Sequence, residues 1–134
     1  MAIPTRILIA LVLSAMSLLP IGCSKKEAES DPETLRIKGE LYDIYDMYTM
    51  FTKNNGRPPK QASDLLAKNA EIVHPEGVRA LKSGGYVVVW GVSGNDSGTV
   101  LAYQKDAPKQ GGWVIMADGK PPQQMSADEL KGKI

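Results

Sequence analysis

From residue 33 to about residue 55, apolar side chains recur with the period of a helix. Ile37, Leu41, Ile44, Tyr48 and Phe51 fall four, three, four and three residues apart, with Tyr45 beside them, and so make one stripe. Ser30-Asp31-Pro32-Glu33 supplies a start in either of two registers: Ser30 and Glu33 as a capping box, or Asp31 as cap with Pro32 in the first turn. Asn54-Asn55-Gly56 supplies the stop, and Pro58-Pro59 forbids continuation. The pattern predicts a helix of about 22 residues. Such a stripe must lie on another apolar layer.

The second half of the chain changes period. Tyr86–Val92, Thr99–Gln104 and Trp113–Ala117 are short runs of β-branched and aromatic residues bounded by glycines, which predicts three strands. Their connections, Ser93–Gly98 and Lys105–Gly112, are rich in residues that tolerate turn geometry, so the strands form an antiparallel meander. Ser63-Asp64-Leu65-Leu66 suggests a short second helix, and Glu71–Ser83 fits no single period. Ser126-Ala127-Asp128-Glu129 is a second capping box, with Met125 and Leu130 placed as a hydrophobic staple for a short last helix. The expected fold class is α+β: a long N-terminal helix packed on a three- or four-stranded antiparallel sheet, with a short C-terminal helix.

Ahead of this body, Arg6 precedes an apolar run, Ile7–Leu19, that is shorter than the roughly 20 residues an ordinary spanning helix needs. Pro20 closes the run and Lys25-Lys26 follow. Leu19-Pro20-Ile21-Gly22-Cys23-Ser24 resembles a bacterial lipoprotein box, with Pro20 standing where that family usually has Leu. The resemblance implies cleavage after Gly22, acylation of Cys23, and a lipid bilayer as the first partner. Ser24 after the cysteine implies the periplasmic face of the outer membrane rather than the inner membrane. More than one acyl chain, at about 0.8 kcal/mol per buried methylene, makes such anchoring stable. The expected organisation is residues 1–22 as signal peptide, 23–32 as lipidated cysteine and polar tether, and 33–134 as one globular domain. The tether reaches about 30 Å at roughly 3.3 Å per residue.

Charge narrows the partners. Lys plus Arg number 16 and Asp plus Glu 15, and Arg6 is the only charged side chain ahead of Cys23, so the remainder is balanced and offers nucleic acid no electrostatic footprint. Cys23 is the only cysteine, so no internal disulfide supports the fold.

The order of the long helix, Asn55-Gly56-Arg57-Pro58-Pro59, Asp64-Leu65 and the meander is similar to the globular part of type II secretion pseudopilins. Ala102-Tyr103-Gln104-Lys105 with Gly111-Gly112-Trp113 through Asp118-Gly119 resembles the last strand and Asp-Gly turn of pilin-related proteins of planctomycete-type bacteria. The resemblance implies a pilin-like fold and contact with envelope or secretion proteins. The chain departs from it in two ways: a lipoprotein box replaces the prepilin motif with its long apolar helix, and no histidine lies between Val78 and Asp118.

Candidate chemistry is sparse, and no enzyme, cofactor or metal site is expected. His74, the only histidine, sits beside Pro75 and Glu76 and reads as a surface or turn residue. Asn95, Asp96 and Asp118 satisfy turn geometry rather than the 6 to 8 oxygens that calcium takes. Gly84-Gly85, Gly111-Gly112 and Gly91-x-x-Gly94 lack the strand-to-helix context of a nucleotide loop. Trp90, Trp113, Tyr86 and Tyr103 are the candidate binding residues. Period-two alternation puts Tyr86, Val88 and Trp90 on one sheet face, to be buried under the long helix or, exposed, to bind peptide or cell-wall glycan. Tyr42, Tyr45 and Tyr48 read as the edge of the core. The expected function is non-enzymatic: a lipid-anchored envelope protein presenting a small domain for protein contact, with a ligand-binding module as the alternative.

Overall fold

A computed structural model describes residues 31–94 and 97–134. The signal run, the Cys23 box, the tether up to Ser30, and Asn95 and Asp96 lie outside the described residues.

The long helix α1 runs Pro32–Asn55 in the Asp31 register. Asp31 Oδ1 accepts from the amides of Glu33 at 3.0 Å and Thr34 at 3.1 Å, two donors that the first turn cannot satisfy itself. Gly56 ends the helix in a left-handed conformation, φ 65°, and donates to the Thr52 carbonyl. Single turns follow, α2 at Ala62–Leu65 and α3 at Ala70–Val73, then the helix α4 at Pro75–Ser83. The stretch without one period, Glu71–Ser83, is thus two helices. Pro75 separates them, because the residue before a proline is pushed out of helical geometry, and His74 takes φ −131°, ψ 62°.

Strands β1 (Tyr86–Val88), β2 (Val100–Gln104), β3 (Gly112–Met116) and β4 (Gln123–Met125) form one antiparallel sheet in chain order. A helical turn, α5 at Ala107–Gln110, sits inside the β2–β3 connection, and α6 at Ala127–Lys131 closes the chain with Ser126 accepting from Glu129 N. Met125 and Leu130 pack in one apolar cluster, the staple expected from their spacing. The class is therefore α+β, a long helix on a four-stranded antiparallel sheet.

Both sheet faces are covered, which is why the strands read as nearly continuous apolar runs instead of clean alternation. On one face Ile37, Leu41, Ile44 and Tyr48 of α1 meet Val88, Leu101, Ala102, Trp113 and Ile115. On the other, Val100, Tyr103, Val114 and Met116 pack with Ala107, Met125 and Leu130. A bulge in β2 makes this possible. Val100 opposes Met116 and Ala102 opposes Ile115, so one extra residue fits between them, and Leu101 and Ala102 both join the α1 side.

The first strand is shorter than the apolar run predicts. After Val88 only Val89 N still donates to β2, to Leu101 O at 2.8 Å. Gly91 then turns left-handed, φ 79°, donates to Pro59 O, and carries Val92 to Tyr48. The Tyr48 hydroxyl accepts from Val92 N at 2.7 Å and donates to Val92 O at 3.0 Å.

Candidate functional site

Of the binding residues proposed from sequence, Trp113, Trp90 and Tyr86 gather on the α1 side of the sheet and Tyr103 lies on the other. Trp113 is buried under α1, with the Lys38 ammonium 4.7 Å from the centre of its ring. Trp90 is half-buried and stacks on Tyr48, while Tyr86 is half-buried beside α1. Tyr103 is buried on the opposite face of the sheet. Tyr86, Val88 and Trp90 lie together beneath the long helix, the burial expected for that face; the exposed alternative is corrected, and beyond the β2 bulge Tyr103 packs on the other side. Cys23 lies outside the described residues. Asp118 serves its own turn, accepting from Lys120 N at 3.1 Å and facing the Lys120 ammonium at 3.2 Å. Of the three α1 tyrosines, Tyr48 is core, Tyr45 is partly buried, and Tyr42 is exposed.

Polar chemistry collects instead where α4 crosses α1. Gly77 permits the close approach, since a Cβ there would stand 2.8 Å from Met47 Sδ and 2.9 Å from Asp43 Cβ. Along α1, Glu40 and Asp43 lie on successive turns and Met50 two turns beyond Asp43, all reached by residues of the α3–α4 segment or β1.

Glu40 is 2% exposed. Arg36 Nη1 donates to both of its oxygens, at 2.7 and 2.9 Å, Arg79 Nη2 donates at 3.2 Å, and Tyr86 Oη donates at 2.5 Å. Glu33 holds Arg36 from the other side and Glu76 holds Arg79. Burial, and after it the hydrogen bond to Glu40, push the Tyr86 phenol well above the ordinary tyrosine range. This network is closed: each carboxylate has an arginine.

One turn further on, Asp43 Oδ2 accepts from Gly77 N at 3.0 Å and so caps the start of α4 from a neighbouring helix. Asp43 Oδ1 faces His74 Nδ1 at 3.5 Å, and His74 Nε2 lies 3.3 Å from Met50 Sδ. Asp46, exposed on the next turn of α1, completes a group in which one donor atom each from Asp43, Asp46 and His74 lies within 4.8 Å of the others. His74 is the turn residue between α3 and α4 that its place beside Pro75 suggests, but its side chain is only 13% exposed, which corrects the surface reading: the α1–α4 crossing packs it down. Its partners are a carboxylate and a thioether, with no serine or threonine hydroxyl among them in the described residues. Sequence reasoning missed this group because Asp43 and Asp46 precede His74 by about thirty residues. The usable signal was the three-residue spacing of two aspartates on a helix.

Beside this group, between the end of α1 and the α2–α3 segment, lies a groove of about 540 Å³ lined by Met47, Met50, Phe51, Leu65, Val73 and His74, among others. Two of its lining side chains are large, apolar and exposed, Val73 at 59% and Met50 at 47%. Among known proteins, no family model, no curated sequence and no solved structure matches this chain.

Proposed function

We propose that the protein is a non-enzymatic, lipid-anchored component of a bacterial envelope, held at the periplasmic face of the outer membrane through acylated Cys23, and that its pilin-like domain makes protein contacts. The lipoprotein-like order of Arg6, the apolar run, Gly22-Cys23 and the polar tether supports the anchor. Among the described residues no helix is long and apolar enough to cross a membrane, so none of those helices is a candidate for a spanning anchor.

The observation that carries the contact role is the apolar groove at the end of α1 with exposed Val73 and Met50 in its lining. Apolar side chains gathered at a groove and rimmed by Asn54, Asn55 and Lys68 have the make-up of a protein interface, apolar at its centre and polar at its edge. Methionines at such a surface adapt to the shape of a partner. The reading names an envelope protein that inserts apolar side chains here. Peptide or glycan binding on the sheet aromatics lacks the open face it requires.

A photocrosslinking residue placed at Val73 in the native envelope is expected to give protein adducts, while the same residue at Lys105, outside the groove lining, gives none. Equal labelling from both positions rejects the groove as the contact surface. Cys23→Ser is expected to move the protein from the membrane fraction to the soluble fraction, and unchanged membrane partitioning rejects the anchor.

A further inference from the structure

We infer that Asp43, Asp46 and His74 form a binding site for one divalent first-row transition-metal ion, of which Zn²⁺ is the type. Three donors from two elements already converge, each offering one ligand atom within 4.8 Å of the others. The 3.5 Å between Asp43 Oδ1 and His74 Nδ1 is long for a hydrogen bond. It is close to the edge of a tetrahedron, about 3.4 Å, when ligands stand about 2.1 Å from a central ion.

The surroundings orient these donors as the outer shell of a metal site does. Gly77 N holds Asp43 Oδ2 and leaves Oδ1 turned to the ring. A thioether sulfur has no proton to give, so the tautomer that makes a hydrogen bond to Met50 Sδ is the one with its proton on His74 Nε2. Nδ1 then offers its lone pair on the side where Asp43 Oδ1 stands 3.5 Å away, so that both can reach one ion.

Charge points the same way. Glu33, Glu40 and Glu76 are matched by Arg36 and Arg79, whereas among the described residues neither Asp43 nor Asp46 forms an ion pair with a lysine or arginine. Two carboxylates one turn apart repel each other. Asp46 is exposed, so an ion can enter and keep water in its remaining positions. Imidazole with two carboxylates selects zinc, copper, nickel or iron over calcium, which takes 6 to 8 oxygen ligands.

Zn²⁺ titrated calorimetrically into the full-length chain in detergent micelles is expected to bind with one ion per chain. His74→Ala and Asp46→Asn should each weaken binding at least tenfold. Asp46 is exposed, so its variant keeps the fold, which the far-ultraviolet circular dichroism and melting temperature of the metal-free protein check. Nitrogen-15 NMR of the histidine should place zinc on Nδ1. Absence of saturable one-to-one binding, wild-type affinity in both variants, or a histidine ring unperturbed by zinc overturns the assignment.

Discussion

Two carboxylates on successive turns of one helix, Glu40 and Asp43, meet the same neighbouring helix and end in opposite situations. Glu40 is almost fully buried and receives two guanidinium groups and a phenol. Asp43 is partly exposed, shares its surroundings with a second aspartate, and faces an imidazole. The difference lies in the partner. Arginine is charged at every accessible pH and its planar fork satisfies a carboxylate at both oxygens, so the Glu40 site is complete with the groups the chain provides. Histidine is a charge partner only when protonated, and otherwise a ligand. Burial with permanent countercharge makes a structural joint, and partial exposure beside an imidazole leaves a place for something added.

The largest effect should come from stripping the joint of its countercharge. Replacing Arg36 and Arg79 together by Met leaves the Glu40 carboxylate buried with Tyr86 as its remaining partner, and urea unfolding is expected to show a loss of about 3 kcal/mol. A change below about 1 kcal/mol would mean that the pairing contributes as little as a surface salt bridge. Tyr86→Phe is next: it removes a hydrogen bond to a charged acceptor at a half-buried position, and about 1.5 to 3 kcal/mol should be lost. The phenol titration of the wild-type protein should include a Tyr86 component well above the ordinary range; that component should be lost from the variant, while the buried Tyr48 phenol stays raised.

Gly77→Ala tests the crossing that both clusters share. The added methyl overlaps Met47 Sδ and the Asp43 side chain, so α4 must shift, at a cost of about 1 to 3 kcal/mol, with the Asp43–Gly77 cap broken. If stability is unchanged, the helices are less tightly seated than the contact distances imply. The smallest effect is expected at Asp46→Asn. In metal-free buffer it should be neutral or raise stability by up to about 0.5 kcal/mol, since it removes one of two like charges on a helix face. A substantial loss instead would show that Asp46 belongs to the fold and would erase the contrast with Glu40.

Where the signals are local, the chain could be read. Asp31, Pro32 and Gly56 delimit α1, and Ser126 starts α6 with its Met125–Leu130 staple, because a cap acts through backbone groups within three or four residues of itself. The three main strands were legible as apolar runs. Their details were not: β1 stops at Val88 because Tyr48 and Pro59 draw Trp90–Val92 away, and the bulge at Leu101 reassigns which face Tyr103 occupies. Alternation did bring Tyr86, Val88 and Trp90 together under α1; of the aromatic candidates Tyr103 alone fell on the other face. His74 beside Pro75 looked like a plain turn, and nothing within ten residues of it announces Asp43.

By itself the amino-acid sequence determined the class of this protein, a helix-on-sheet domain. Helical period, caps, prolines and β-branched runs act over a few residues and need no tertiary partner. Tertiary structure alone decided which side chains meet: Glu40 with Arg79 and Tyr86, Asp43 with His74, and the apolar groove at the end of α1. These meetings join residues about 30 to 46 positions apart, and they depend on how closely α4 crosses α1. That distance is set by the missing side chain of Gly77 and the packing around it, which no local pattern encodes.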